Sequence, residues 1–215
     1  MTSHSVETTT HGRVLVENAA DPHSGRLLVA CHGYAQNAEA MLEEVRRIPG
    51  VAGWRVASVQ ALHRFYSRSQ QTVVASWMTR EDRDLAIADN IAYLDRAVEA
   101  AGGNEAGAIV FLGFSQGAAM AYRAALCGRY QAAGVVALAG DVPPDVKALT
   151  ARRWPRVLLG AGLQDTWYTA GMLAADEQFL ASRDVERQIV RFAGGHDWTD
   201  AFRLAAGRWL EAFSR

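Results

Sequence analysis

Short, continuous apolar runs at 26–31, 108–112, 134–139 and 156–161 alternate with stretches patterned for helix. That alternation constrains the fold more than any other feature of the chain. A strand that is apolar at nearly every position is buried on both faces, which occurs in a parallel sheet covered by helices on either side. Further strand candidates at 13–17, 54–62 and 185–192 extend the series. Between them, Asn37 reads as the N-cap of a helix carrying Met41, Leu42, Val45 and Ile48, ended by Pro49-Gly50. Over 84–101 the residues Ile87, Ile91, Leu94, Val98 and Ala101 fall at steps of three and four, and Gly102-Gly103 closes that helix. Further helices are expected at 172–182 and at the C-terminus, where Trp198, Phe202, Ala205, Trp209 and Phe213 form an apolar face. The expectation is a doubly wound, mainly parallel sheet with helices on both faces and functional loops at the carboxyl ends of its strands.

The run at 108–112 leads into Gly113-Phe114-Ser115-Gln116-Gly117, and an alanine-rich helical stretch leads out. Gly-x-Ser-x-Gly between strand and helix is the sequence of a sharp turn that holds a serine in strained backbone with its hydroxyl exposed. Two more polar residues follow strand candidates: Asp165 in Gly162-Leu163-Gln164-Asp165, and His196 in Gly194-Gly195-His196. Serine, then acid, then histidine suits nucleophilic catalysis. A serine hydroxyl needs a base to take its proton during attack, and the base needs a carboxylate to fix its tautomer. The backbone N–H of Gln116, at a helix N-terminus, is one candidate donor to an oxyanion. The N–H of Tyr34, in His32-Gly33-Tyr34 after the run at 26–31, is the other. Each residue has a plainer reading: Ser115 or Asp165 as a helix cap, His196 as a loop histidine. Asp141 is the alternative acid. Asp197 adjoins the histidine in sequence, a poor geometry for orienting it.

Other classes of function fit less well. With 22 basic and 23 acidic residues, net charge −1, the chain has no basic field for nucleic acid. No apolar run approaches the ~20 residues that span a bilayer. Residues 1–12 read as a polar tail without the pattern of a secretory signal, and 13–215 as one domain. Cys31 and Cys127 read as small packing residues, with a disulfide left open, and the cytoplasm is the expected compartment. His4, His11, His23 and His63 lack metal-ligand spacing, and the glycines match no nucleotide-binding pattern. Neither metal nor cofactor is expected.

On His32-Gly33, Gly113-Phe114-Ser115-Gln116-Gly117, Gly162-x-x-Asp165 and Gly195-His196, with Ser76-Trp77 between, the chain resembles the small carboxylesterase, phospholipase and acyl-protein thioesterase family of α/β-hydrolases. The resemblance implies an α/β-hydrolase fold and a cofactor-free serine hydrolase of carboxylic esters or thioesters. It also supports the roles given above to Ser115, Asp165, His196, Tyr34 and Gln116. The chain departs from the family at Ala35-Gln36-Asn37, Met78-Thr79-Arg80 and Thr166-Trp167-Tyr168, all in substrate territory. The segment 140–156 is too short to hold a lid domain, so the site should be open, covered at most by a loop at 63–78. In that loop lie the aromatic and basic residues 63–68 and Trp77. Trp77, Trp167 and Tyr168 are the candidate substrate-binding residues, and the bulk of Trp167 and Tyr168 points to short- or medium-chain acyl groups. The partner is then a small ester or thioester, with oligomeric state left open. A long-chain lysophospholipase or acyl-protein thioesterase, an acyltransferase and a non-catalytic binding module are the alternatives.

Overall fold

The computed structural model describes residues 1–67, 71–150 and 153–213. Seven strands form the central sheet. These are β1 (Arg13–Glu17), β2 (Arg26–Cys31), β3 (Arg55–Gln60), β6 (Ala108–Phe114), β7 (Gly134–Leu138), β8 (Arg156–Gly162) and β9 (Arg187–Phe192), in the order β1-β3-β2-β6-β7-β8-β9. Only the edge strand β1 runs antiparallel, against β3; every other neighbour pair is parallel.

The continuous apolar runs are explained by the pleat, since side chains alternate between faces and both faces here are covered. Strand β6 sends Ile109 and Phe111 to one core and Val110, Leu112 and Phe114 to the other. The second core is closed by α1 (Ala38–Arg46) through Met41, Leu42 and Val45, and by α6 (Asp200–Glu211) through Phe202, Ala206 and Leu210. On the opposite face pack α2 (Arg83–Ala100), α3 (Gln116–Cys127), α4 (Pro144–Lys147) and α5 (Ala170–Ser182). The Asn37 side chain accepts from Ala40 N at 2.9 Å, capping α1. Helix α6 begins after Trp198, and its most buried line is Phe202, Ala206 and Leu210, about one residue round from the expected face.

The expected loop at 63–78 is instead an antiparallel hairpin of β4 (His63–Tyr66) and β5 (Val73–Ser76). Its first strand is exposed at every position, so no inward-outward alternation marked it in the sequence. Arg68 of that stretch lies outside the described residues. Between β7 and β8 the described residues contain only the single-turn α4, and no lid domain covers the sheet. Residues 1–12 have neither helix nor strand and are exposed. Among the described residues no helix is long and apolar enough to cross a membrane.

Candidate active site

The site is assembled at the carboxyl ends of the parallel strands, where β6 turns into α3. Ser115 has φ 54° and ψ −120°, a conformation that L-residues rarely adopt and that must be held by its surroundings. Glycine on both sides makes the turn possible. A Cβ on Gly113 would lie 2.1 Å from the Gly117 carbonyl oxygen, and one on Gly117 would lie 2.1 Å from that of Cys31. Ser115 N–H donates to Leu138 O at 2.8 Å, which ties the turn to β7. Although Ser115 occupies the N-cap position of α3, its side chain caps nothing. The hydroxyl points to His196 instead.

Ser115 Oγ donates to His196 Nε2 at 2.8 Å, and His196 Nδ1–H donates to Asp165 Oδ2 at 2.8 Å. The tautomer follows from the partners: a carboxylate can only accept, so the ring proton sits on Nδ1 and Nε2 is free to take the hydroxyl proton. Asp165 is buried, and its other oxygen, Oδ1, accepts from Trp167 N (2.8 Å) and Tyr168 N (2.9 Å). Those two bonds leave Oδ2 directed at the imidazole. Asp141 lies in the cleft beside Ser115, but the carboxylate bonded to His196 is that of Asp165. Asp197 accepts from Trp198 N at 2.7 Å.

Beside this line stands the turn after β2. The N–H groups of Gly33, Ala35 and Gln36 are spent on Gln36 Oε1 (2.8 Å), Ala75 O (3.0 Å) and Gly33 O (3.3 Å). That of Tyr34 has no acceptor among the described residues. Gln116 is the first residue of α3, where a helix leaves its N–H groups unbonded. Tyr34 and Gln116 therefore each keep a backbone N–H without a protein acceptor among the described residues.

Trp77 does not line the cleft, contrary to expectation. It is fully buried, its indole N–H donates to His32 O at 2.8 Å, and its ring stands 5.5 Å from that of His32. An amphipathic side chain with a backbone acceptor inside the fold goes inward, and here it braces the turn that carries Tyr34. Trp167, by contrast, is 78% exposed at the mouth, its ring centroid 6.3 Å from that of His196. Tyr168 lines the cleft but is otherwise buried, its hydroxyl donating to Asp176 Oδ2 at 2.9 Å.

Sequence reasoning missed the side chains that hold the parts together. The Gln116 amide accepts from Trp77 N (2.9 Å) and Ser76 Oγ (3.3 Å) and donates to Met78 O (2.9 Å). Buried Asn90 donates to Trp77 O at 2.6 Å. A polar residue at a buried helical position, as Asn90 is within the period of α2, was the available signal.

The cleft above Ser115 measures about 280 Å³ and is lined by Met78, Ala119, Arg123, Trp167 and Met172, among others. A larger cleft of about 560 Å³, bordered by Arg129, Tyr130 and Trp154, lies at the amino-terminal ends of β7 and β8, away from the serine. Among the described residues no group of three or more His, Cys, Asp or Glu could hold a metal ion.

Sheet order, the turn at Ser115 and the loops after β8 and β9 define an α/β-hydrolase. The family model described as Phospholipase/Carboxylesterase matches residues 73–197, more than half of the chain, and the chain belongs to that family of ester hydrolases. Among solved structures it is similar to the esterase PE8 (TM-score 0.73, 19% identity, covering 95% of this chain and 100% of that one). It is likewise similar to Zea mays acyl-protein thioesterase 2 (TM-score 0.73, 17% identity, 95% and 100% covered). The Bacillus cereus carboxylesterase is a third (TM-score 0.70, 19% identity, 94% of each chain). At such identities the likeness is one of fold. No curated protein matches the chain.

Proposed function

We propose that the protein is a serine hydrolase that cleaves short- to medium-chain carboxylic esters or thioesters through an acyl-Ser115 intermediate. The observation that carries this reading is the unbroken line from Ser115 Oγ through His196 to Asp165, with both links at 2.8 Å. In acylation, Ser115 Oγ attacks the carbonyl carbon and its proton passes to His196 Nε2. The carbonyl oxygen becomes negative and is met by the N–H groups of Gln116 and Tyr34. His196 then gives its proton to the leaving alkoxide or thiolate as the carbon–leaving-group bond breaks. Water repeats the sequence on the acyl-enzyme, releasing the acid and returning the proton to Ser115. Asp165 stays ionised throughout and stabilises the imidazolium.

The preference for shorter acyl groups is supported by the size of the cleft, about 280 Å³, at the low end for small-molecule sites. Its charged lining at Arg83 and Arg123 supports it too, since a long alkyl chain would have to desolvate those groups. The test is hydrolysis of p-nitrophenyl esters from acetate to palmitate by the wild type and Ser115→Ala. Turnover that falls away beyond medium chains, and drops by roughly 10⁴-fold or more in the mutant, is the expected outcome. A mutant that keeps most of the turnover would sink the nucleophile assignment, and a palmitate optimum would sink the chain-length assignment.

A further inference from the structure

Ser115, Ala119 and Arg123 all line the cleft, and they are spaced four residues apart from the N-cap of α3 into its third turn. That spacing sets them in a row on one helix face, with Arg123 about 12 Å beyond the serine at ~1.5 Å per residue. Long side chains on a helix lean back toward its N-terminus, and the Arg123 guanidinium meets Met120 Sδ, three residues back toward the serine.

The bonding of this guanidinium is incomplete. The Arg123 side chain is 1% exposed. Its Nε and Nη2 donate to Asp145 Oδ2 and Oδ1, both at 2.8 Å, a forked pair that fastens α3 to α4. Among the described residues its Nη1 meets only the thioether sulfurs of Met78 and Met120, at 3.7 and 3.8 Å. Sulfur is a weak acceptor, so a buried cationic donor lacks an oxygen partner beside the cleft. Arg83, at the start of α2, lines the same cleft, is 42% exposed, and comes within only 3.8 Å of Asp145 Oδ1. Two guanidinium groups therefore share one carboxylate. The acid lining the cleft is Asp141; burial holds its carboxyl above the ordinary carboxylate range. Fastening α3 to α4 accounts for the Asp145 pair, but for neither Nη1 nor Arg83.

We propose that the cleft takes an acyl group with a carboxylate at its far end, seated on Arg83 and the Nη1 side of Arg123, so that the preferred substrates are monoesters or monothioesters of short dicarboxylic acids. The inference rests on reading Ser115 as the nucleophile, because the row on α3 is measured from it. The Arg83 guanidinium can meet a carboxylate in shape as well as charge, whereas a plain alkyl end would leave Arg123 Nη1 with sulfur acceptors alone.

The test compares kcat/KM for mono-p-nitrophenyl adipate and p-nitrophenyl hexanoate, acyl groups of equal length that differ in the terminal carboxylate. The wild type should prefer the adipate ester by about tenfold or more, the scale of one charge-assisted contact. Arg83→Gln should lower that preference and Asp141→Asn should raise it, opposite shifts that general damage to the fold does not produce. Equal or better turnover of the hexanoate ester, or a preference that Arg83→Gln leaves in place, overturns the proposal while leaving the hydrolase reading intact. If neither ester is turned over, the hydrolase reading fails. Calorimetric binding of adipate against hexanoate to the wild type then decides: tighter adipate upholds the carboxylate seat, and equal binding removes it.

Discussion

His32 closes the strand that leads to Tyr34, and its two ring nitrogens have opposite tasks. Nδ1–H donates to Gly33 O at 2.7 Å, while Nε2 accepts from Ala61 N at 3.1 Å. Only the neutral ring can do both, since an imidazolium would set a second N–H against that of Ala61. Burial lowers the His32 pKa below its usual value, opposed in part by the bond to Gly33 O and by Glu39. Below the ordinary imidazole range the unfolded chain therefore binds a proton that the folded protein refuses, and stability falls as pH falls. Thermal unfolding at about pH 7.5 and about pH 5.5 should show a drop in Tm for the wild type, around the usual histidine pKa. The drop should be smaller for His32→Asn, and an equal drop in both proteins would remove His32 as its source. Asp145 acts in the same direction at lower pH: its hydrogen bonds from Arg123 hold its carboxyl below the ordinary carboxylate range, so that contribution is lost on strong acidification. The sequence placed His32 at a strand end but could not separate a loop histidine from a buried one. The difference lies in partners 29 residues away, at Ala61, and 45 residues away, at Trp77.

At the scale of elements, the site depends on how the β4–β5 hairpin and the Ser115 turn grip each other. Ala35 N donates to Ala75 O and Ala75 N to Gln36 O, at 3.0 and 2.8 Å, fixing the Tyr34 turn to β5. The Gln116 amide fixes the residues after β5 to the start of α3. Gln116→Ala keeps the backbone N–H but removes that clamp. The expected result is a loss of about 1–3 kcal/mol in denaturant unfolding, with kcat lowered more than KM is changed. Unchanged stability and kcat would show the clamp to be idle. Gly117→Ala tests the packing of α3 on β2, because its Cβ would lie 2.1 Å from Cys31 O. Backbone cannot yield there as a side-chain tip can, so destabilisation of about 3 kcal/mol or more is expected by the same measurement. Helices and buried strands were legible because their patterns are local. The hairpin was not: its first strand packs neither side inward, and its bonds to residues 35–36 and 116 are long-range facts that no window of sequence contains.

For the whole molecule, two cores lie on the two faces of one sheet, and Ser115, Asp165 and His196 follow the ends of β6, β8 and β9. Strand order explains why residues 50 and 31 positions apart meet. Strand β6 is separated from β8 by β7 alone, and β9 adjoins β8, so Ser115, Asp165 and His196 emerge from neighbouring loops. That convergence followed from the alternation of strands and helices together with the order of the three residues. The charged end of the cleft did not, since Arg83, Arg123 and the Asp145 that pairs with both come from three separate helices and carry no shared motif. The central claim is that Ser115 is the nucleophile activated by His196. Its most direct test is labelling with an alkyl fluorophosphonate followed by peptide mass spectrometry, on the wild type, His196→Ala and Ser115→Ala. The expected result is one phosphonyl group on the wild type at Ser115, labelled far more slowly in His196→Ala and not at all in Ser115→Ala. A label on another residue, or one that forms as fast without His196, would contradict it.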